Sequence, residues 1–238
     1  MNENVMKDKV ALVTGGSKGI GKAVGKLLAH EGAKVILVAR NADELDSART
    51  EISKAGGTVY SYRADVGNND DVNRIINEIC TKFERLDILV NNAGIGIFAS
   101  MTDFKVEDWH RLMNTNLHGP FYMIRAVLPQ MIRQREGAII NIASLAAKNS
   151  FANGAAYCAS KAGLVALSEC LMLEVRYYNI KVSVILPGSA ATDFGSGSAN
   201  KNWMLTPEDV AHQVMNVIKS KENALISHIE MRPLKPEK

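Results

Sequence analysis

Apolar and polar positions along the chain fall into two alternating regimes. Short aliphatic and β-branched runs recur as VALV at 10–13, KVILVA at 34–39, TVYSYR at 58–63, LDILVNN at 86–92, GAIINIAS at 137–144 and KVSVILP at 181–187. Runs of this length, apolar almost throughout, suit strands covered on both faces of a parallel sheet. The longer stretches between them predict helices beginning near Ile20, Ala42, Asn69, Lys105, Ala155 and Pro207. Two of these starts carry capping chemistry. Asn41 followed by Glu44 reads as a capping box, and Thr206-Pro207-Glu208-Asp209 sets a capping hydroxyl, a first-turn proline and two acids at the positive end of a helix. A last alternating run, ALISHIEMR at 224–232, predicts a seventh strand, and the proline-containing PLKPEK at 233–238 reads as a flexible tail.

Repeated strand–helix units with no internal repeat or low-complexity linker predict an α/β chain forming one domain over 1–238. The expected architecture is a doubly wound, seven-stranded parallel sheet with helices on both faces. Sheets of this kind bind ligands beyond the carboxyl ends of their strands, so the loops at those ends are where chemistry is expected.

Composition narrows the picture by exclusion. The 238 residues are 47% hydrophobic and 22% charged, with a formal charge of +3 whose Lys and Arg are dispersed among acids. No nucleic-acid footprint follows from that dispersal. No apolar run approaches membrane-spanning length, and VALV is too short for a signal-peptide core, so the expectation is a cytoplasmic protein with no membrane partner. Cys80, Cys158 and Cys170 lack metal-ligand or disulfide spacing and read as buried free thiols, with no metal site implied.

The first strand runs into Thr14-Gly15-Gly16-Ser17-Lys18-Gly19-Ile20-Gly21 and then a helix. Glycines there let the backbone turn tightly and approach a pyrophosphate resting on the helix's amide-rich end. Farther on, GAAYCASKAGLV at 154–165 sets Tyr157 and Lys161 four apart, one above the other on a helix face. An ammonium beside a phenol lowers the phenol's pKa, making Tyr157 a candidate acid or base.

Together the T-G-x-x-x-G-x-G spacing, Asn91-Asn92-Ala93-Gly94 after the fourth strand, Ser144 thirteen residues before Tyr157, and Lys161 resemble the short-chain dehydrogenase/reductase family, with its Rossmann fold, over essentially the whole chain. The resemblance implies Tyr157 as general acid/base and Lys161 as the group that tunes it and binds the nicotinamide ribose. It implies Ser144 at the substrate oxygen and Asn116 holding a water that connects Lys161 to solvent, with the neighbouring Asn114 the rival assignment. It also implies a cofactor site built from Gly15, Ser17, Lys18, Gly19, Ile20 and Gly21, from Asp65 and Val66 at adenine, from Asn92, Ala93 and Gly94 at the ribose, and from Pro187, Gly188 and Thr192 at the carboxamide. For Asp65 a helix-capping role stands beside that reading.

NAD-preferring members carry an acid at the end of the second strand, where this chain reads Val38-Ala39-Arg40. Arg40, with Lys18, suits a 2′-phosphate, so the expected cofactor is NADP(H) ahead of NAD(H), and the direction is reduction. The expected activity is reduction of a small-molecule ketone or aldehyde, with a 3-oxoacyl-thioester reductase as the alternative and a non-catalytic NADP-sensing protein a further one. A nucleotide-sugar epimerase or dehydratase would carry a larger C-terminal domain. The short segment 189–205 reads as a substrate lid, with Phe194, Trp203 and Met204 as candidate apolar walls opposite Ile95 to Ala99. A homodimer or homotetramer is expected, through the final strand and the helix starting at Ala155.

Overall fold

A computed structural model describes residues 6–192, 194, 202–221 and 223–235. Seven parallel strands form one sheet: β1 (Val10–Thr14), β2 (Lys34–Ala39), β3 (Thr58–Arg63), β4 (Ile88–Asn91), β5 (Gly137–Ile142), β6 (Ile180–Pro187) and β7 (His228–Met231). Their spatial order is β3-β2-β1-β4-β5-β6-β7, so the winding reverses between β1 and β4. There the loops leaving two neighbouring strands diverge to opposite faces and open a crevice.

Side-chain alternation explains the two layers. Ala11 and Val13 of β1 face a core built with α1 (Gly19–His30), α2 (Ala42–Lys54) and α7 (Pro207–Ile218). Val10 and Leu12 face the opposite core, with α3 (Asn69–Phe83), α5 (Gly119–Gln134) and the C-terminal part of α6 (Ala155–Val175). The interior strand β5 is buried along its whole length, whereas β3 and β7 at the edges are half open.

Several expectations need correction. The seventh strand is four residues long, pairing with Val184–Pro187, and 224–227 lie outside it. Leu86 and Asp87 precede β4, and Asp87 instead folds back, its buried carboxylate accepting from Val10 N at 2.8 Å and from Arg85. A helix missing from the sequence pattern, α5, carries Pro120 in its first turn and an exposed Pro129 inside it. It is reached from α4 (Val106–Met113) through a π-helical turn at Asn114–His118, closed by Gly119 N–H on the Asn114 carbonyl. Of the three free cysteines only Cys158 is buried; Cys80 is half-buried and Cys170 exposed.

Helix starts divide instructively. At α7 the capping box is complete: Asp209 N bonds Thr206 Oγ1 at 3.1 Å, and Thr206 N bonds Asp209 Oδ2 at 2.8 Å. At α2 only half of it forms. Asn41 Oδ1 accepts from Asp43 N and Glu44 N, but the Glu44 carboxylate turns away. Helix α1 has no side-chain cap and no acid in its first turn.

Candidate active site

A cavity of about 1420 Å³ opens at the carboxyl ends of the strands, over the β1/β4 reversal. Its floor is the glycine loop. Gly15 and Gly19 hold φ of +64° and +54°, the left-handed region that a side chain disfavours. Gly21 does not line the cavity; it lies beneath, where an added Cβ would meet the Gly15 carbonyl oxygen at 2.2 Å. Absence of that atom lets the loop close onto α1, leaving Ser17, Lys18, Gly19 and Ile20 along the cavity wall. The uncapped first-turn N–H groups of α1 remain for an anionic ligand.

Thr14 and Asn92 tie this loop to the one after β4. Thr14 Oγ1 accepts from Asn92 N and Ala93 N, both at 3.0 Å, while Asn92 Nδ2 donates to Thr14 O at 3.0 Å and Gly15 O at 3.3 Å. Thr14 opens the T-G-x-x-x-G-x-G motif but is not among the expected site residues; its part is to tie the two loops together. Asn91 instead points into the sheet, donating to Asn141 Oδ1 at 2.9 Å, with Asn141 passing the chain to Ser168.

At the end of the crevice expected to take adenosine, Arg40, Asp65 and Val66 border the cavity. Asp65 is not a helix cap: Asn68 caps α3, and Asp65 Oδ1 accepts from Gly67 N at 2.9 Å to form the turn before it. Both cations expected at a 2′-phosphate face carboxylates. Arg40 lies 3.9 Å from Asp65 Oδ2, and Lys18 Nζ lies 3.3 Å from Glu44 Oε1.

The opposite end holds the residues with acid–base capacity. Ser144 follows β5, its Oγ accepting from Ala146 N at 3.1 Å and facing the Tyr157 phenol as a hydrogen-bonding neighbour. Tyr157 is buried near the start of α6. Burial pushes its pKa up, and the Ser144 contact opposes that rise only in part. The expected lowering by Lys161 is therefore not found. Lys161 Nζ stands 5.9 Å from the Tyr157 ring centroid and donates to the Ile142 carbonyl at 2.9 Å. Stripped of water, Lys161 is itself pushed down to about 8. The side chains are neighbours, as i, i+4 spacing requires, but burial rather than any charge between them sets the direction of both shifts.

Asn116 sits in the π-helical turn, fully buried, and does not line the cavity. Its Oδ1 accepts from Ile95 N at 2.8 Å, and its Nδ2 donates to Ile95 O at 2.9 Å and Ser160 Oγ at 3.2 Å. The rival Asn114 is exposed and bonded to His118. Above Gly94, Asn116 Oδ1 and Lys161 Nζ border one space: a Cβ there would lie 3.5 Å and 3.6 Å from them.

Aromatic rings wall the mouth. Phe98 and Phe194 each stand with a centroid 5.6 Å from that of Tyr157, and Phe151, which the sequence pattern does not single out, is 5.8 Å from Phe98. Trp203, Met204, Pro187, Gly188 and Thr192 complete that side. Gly188 N donates to Met231 O at 2.8 Å, and Arg232 and Pro233 reach the cavity rim. Within the expected lid, 193 and 195–201 lie outside the described residues, as do 236–238 of the tail. Among the described residues no cluster of His, Cys, Asp or Glu suits a metal, and no helix is long and apolar enough to cross a membrane.

A glycine-floored crevice at the winding reversal of a parallel sheet, with Ser144, Tyr157 and Lys161 at one end, defines a class of oxidoreductase. The sequence model of short chain dehydrogenases matches residues 9–203, and the chain belongs to that family. Among curated relatives, an uncharacterised oxidoreductase of Staphylococcus aureus (strain MW2) is 32% identical over 231 residues, covering 97% of this chain and 99% of the relative. One from Staphylococcus saprophyticus is 32% identical over 234 residues, covering 96% and 99%. Among solved structures, a metagenomic short-chain oxidoreductase in complex with NADP is 36% identical with a TM-score of 0.87, covering 97% of this chain and 99% of that one. An alcohol dehydrogenase from the archaeon Thermococcus sibiricus, complexed with 5-hydroxy-NADP, is 26% identical with a TM-score of 0.89 and the same coverages.

Proposed function

We propose that this protein is an NADPH-dependent reductase of ketones or aldehydes, with Tyr157 as the general acid. One observation carries the reading: Tyr157 is a buried phenol beside Ser144 and Lys161, lining a cavity floored by glycines. A protonated phenol is the form that can give a proton to a carbonyl oxygen becoming an alkoxide. A reduced nicotinamide bound along the crevice supplies the hydride. Ser144 donates to the same oxygen and stabilises its developing charge. The space shared by Asn116 Oδ1 and Lys161 Nζ above Gly94 suits a water that returns the proton.

The uncapped end of α1 and the close Gly15–Gly21 approach fit a pyrophosphate, and Arg40 and Lys18 favour the phosphorylated cofactor. The NADP-bound relatives agree with that preference. The segment 189–205, which brings Phe194, Trp203 and Met204 to the cavity, is read as the substrate lid. With Phe98 and Phe151 it favours a substrate with an apolar or aromatic flank over a strongly charged one. We place the reaction in the cytoplasm, within a single-domain subunit. A homo-oligomer is supported by exposed Val106, Trp109 and Phe121 on α4 and α5, by Leu173 in the last turn of α6 and by Tyr177 in the 3-10 turn after it.

The test is NADPH oxidation across ketone, aldehyde, aromatic diketone, sugar and 3-oxoacyl-thioester substrates, for the wild type and Tyr157→Phe. The variant is expected to keep NADPH binding and lose about 10²–10⁴-fold in turnover. Equal turnover by both would remove Tyr157 from its role, and turnover of the thioester alone would move the protein to the acyl-reductase reading.

A further inference from the structure

Glu44 has the place of a capping residue without the contact. Asn41 Oδ1 makes its half of the capping box, at 3.1 Å from Asp43 N and 3.2 Å from Glu44 N, but the Glu44 carboxylate does not return to the Asn41 N–H, the partner a box assigns it. That carboxylate crosses instead from α2 to the glycine loop. There Oε2 accepts from Ser17 Oγ and Oε1 from Lys18 Nζ, each at 3.3 Å. Position alone does not force this, because Asp209, also third in its helix, closes the box at α7. Glu44 borders the same cavity as Ser17, Lys18, Arg40 and Asn41. One anion thus occupies both donors of the loop that face the adenosine end.

We propose that Glu44 sets cofactor selectivity: it stands in for the acid missing at Ala39, five residues on in the first turn of α2, and holds preference for a 2′-phosphate below what Lys18 and Arg40 would otherwise give. The inference rests on the reading that this cavity takes NADP(H). A 2′-phosphate reaching Lys18 must displace the Glu44 carboxylate or lie beside it, and either costs binding free energy through lost pairing or like-charge repulsion. An unphosphorylated ribose bears hydroxyl donors that the same carboxylate can accept. Asp65 faces Arg40 in a similar way, but its Oδ1 is committed to Gly67 N, whereas both Glu44 oxygens are directed at the loop.

Fragments of the cofactor isolate this end of the site from turnover. Adenosine 2′,5′-bisphosphate and adenosine 5′-monophosphate are titrated by calorimetry into the wild type and Glu44→Gln, a near-isosteric change at a half-buried helix edge. The expected result is bisphosphate binding about three- to thirtyfold tighter in the variant, the range set by two partly screened charges a few ångströms apart. Monophosphate affinity should stay within about twofold or fall. Unchanged or weaker bisphosphate binding in the variant, with a wild type that prefers the bisphosphate, overturns the role of Glu44 alone and makes it a strut for Lys18. If neither protein distinguishes the fragments, the NADP reading falls with it.

Discussion

Lys161 offers a measurement of what the site costs the fold. Its ammonium is buried, bonded to the Ile142 carbonyl, and its pKa falls from the ordinary lysine value of 10.5 to about 8. Because the folded pKa is depressed, the unfolded chain binds the proton more tightly. Between pH 8 and 10.5 the unfolded state carries a proton that the native state has released, so stability rises with pH through that window. Below pH 8 both states are protonated and the full penalty, about 3 kcal/mol for a shift of this size, is present. Lys161→Met removes the titration while keeping an unbranched apolar chain in the cavity. From pH 7 to pH 9 the wild type should gain about 1.3 kcal/mol relative to the variant. That corresponds to roughly 3–5 °C in Tm for a chain of this size. Tyr157 does not interfere, since its raised pKa places its titration above this range. Denaturant unfolding of both proteins at pH 7, 8 and 9, at one protein concentration, gives the double difference directly. A flat difference, or one that falls with pH, would refute the desolvation argument and return Lys161 to a solvated, fully charged state.

Other outcomes follow from the geometry. Gly21→Ala should abolish dinucleotide binding and lower stability by roughly 1–3 kcal/mol, because a Cβ 2.2 Å from the Gly15 carbonyl meets backbone that cannot rotate away; retained binding in equilibrium titration would dissociate that contact from the phosphate loop. Arg40→Ala should weaken NADPH about tenfold and leave NADH unchanged, a ratio read from kcat/KM for each cofactor, with equal losses counting against a phosphate contact. Light scattering at micromolar concentration should report an oligomer that Trp109→Glu dissociates, since exposed Trp109 stands beside exposed Val106 on one face of α4.

What the sequence made legible was what depends on local pattern. The strands of the central sheet are apolar because they are covered on both faces, and the Thr14–Gly21 loop needs glycine for reasons of backbone geometry, so both register directly in residue type. Helix α5 escaped notice because Gly119-Pro120 and Pro129 look like breakers, although one proline lies in the first turn and the other on the exposed side. The pKa of Tyr157 was misjudged for a different reason: spacing gives its distance from Lys161, but only tertiary packing gives desolvation, which dominates here. Glu44 was legible as a helix-start acid, yet which of two partners it chose depended on a loop that is distant in sequence. Phe151 carried no pattern at all, and reaches the site through the turn that precedes α6.

The π-helical turn makes residue number, rather than residue identity, the sensitive variable in this part of the chain. It holds one more residue than an α-helical turn would, which offsets the phase of α4 from that of α5 by about 100°. Leu112 can therefore pack against Ala156 and Tyr157 while Met123, Val127 and Met131 fill the sheet's core, two directions that one uninterrupted helix could not serve together. Deleting any single residue from 114–118 would restore an ordinary helix, swing Leu112 away from the tyrosine and withdraw the amide that grips Ile95. Point substitutions leave that register intact. The length of this segment is accordingly a geometric constant of the site, and a shortened chain could keep its sheet while losing the alignment of Tyr157.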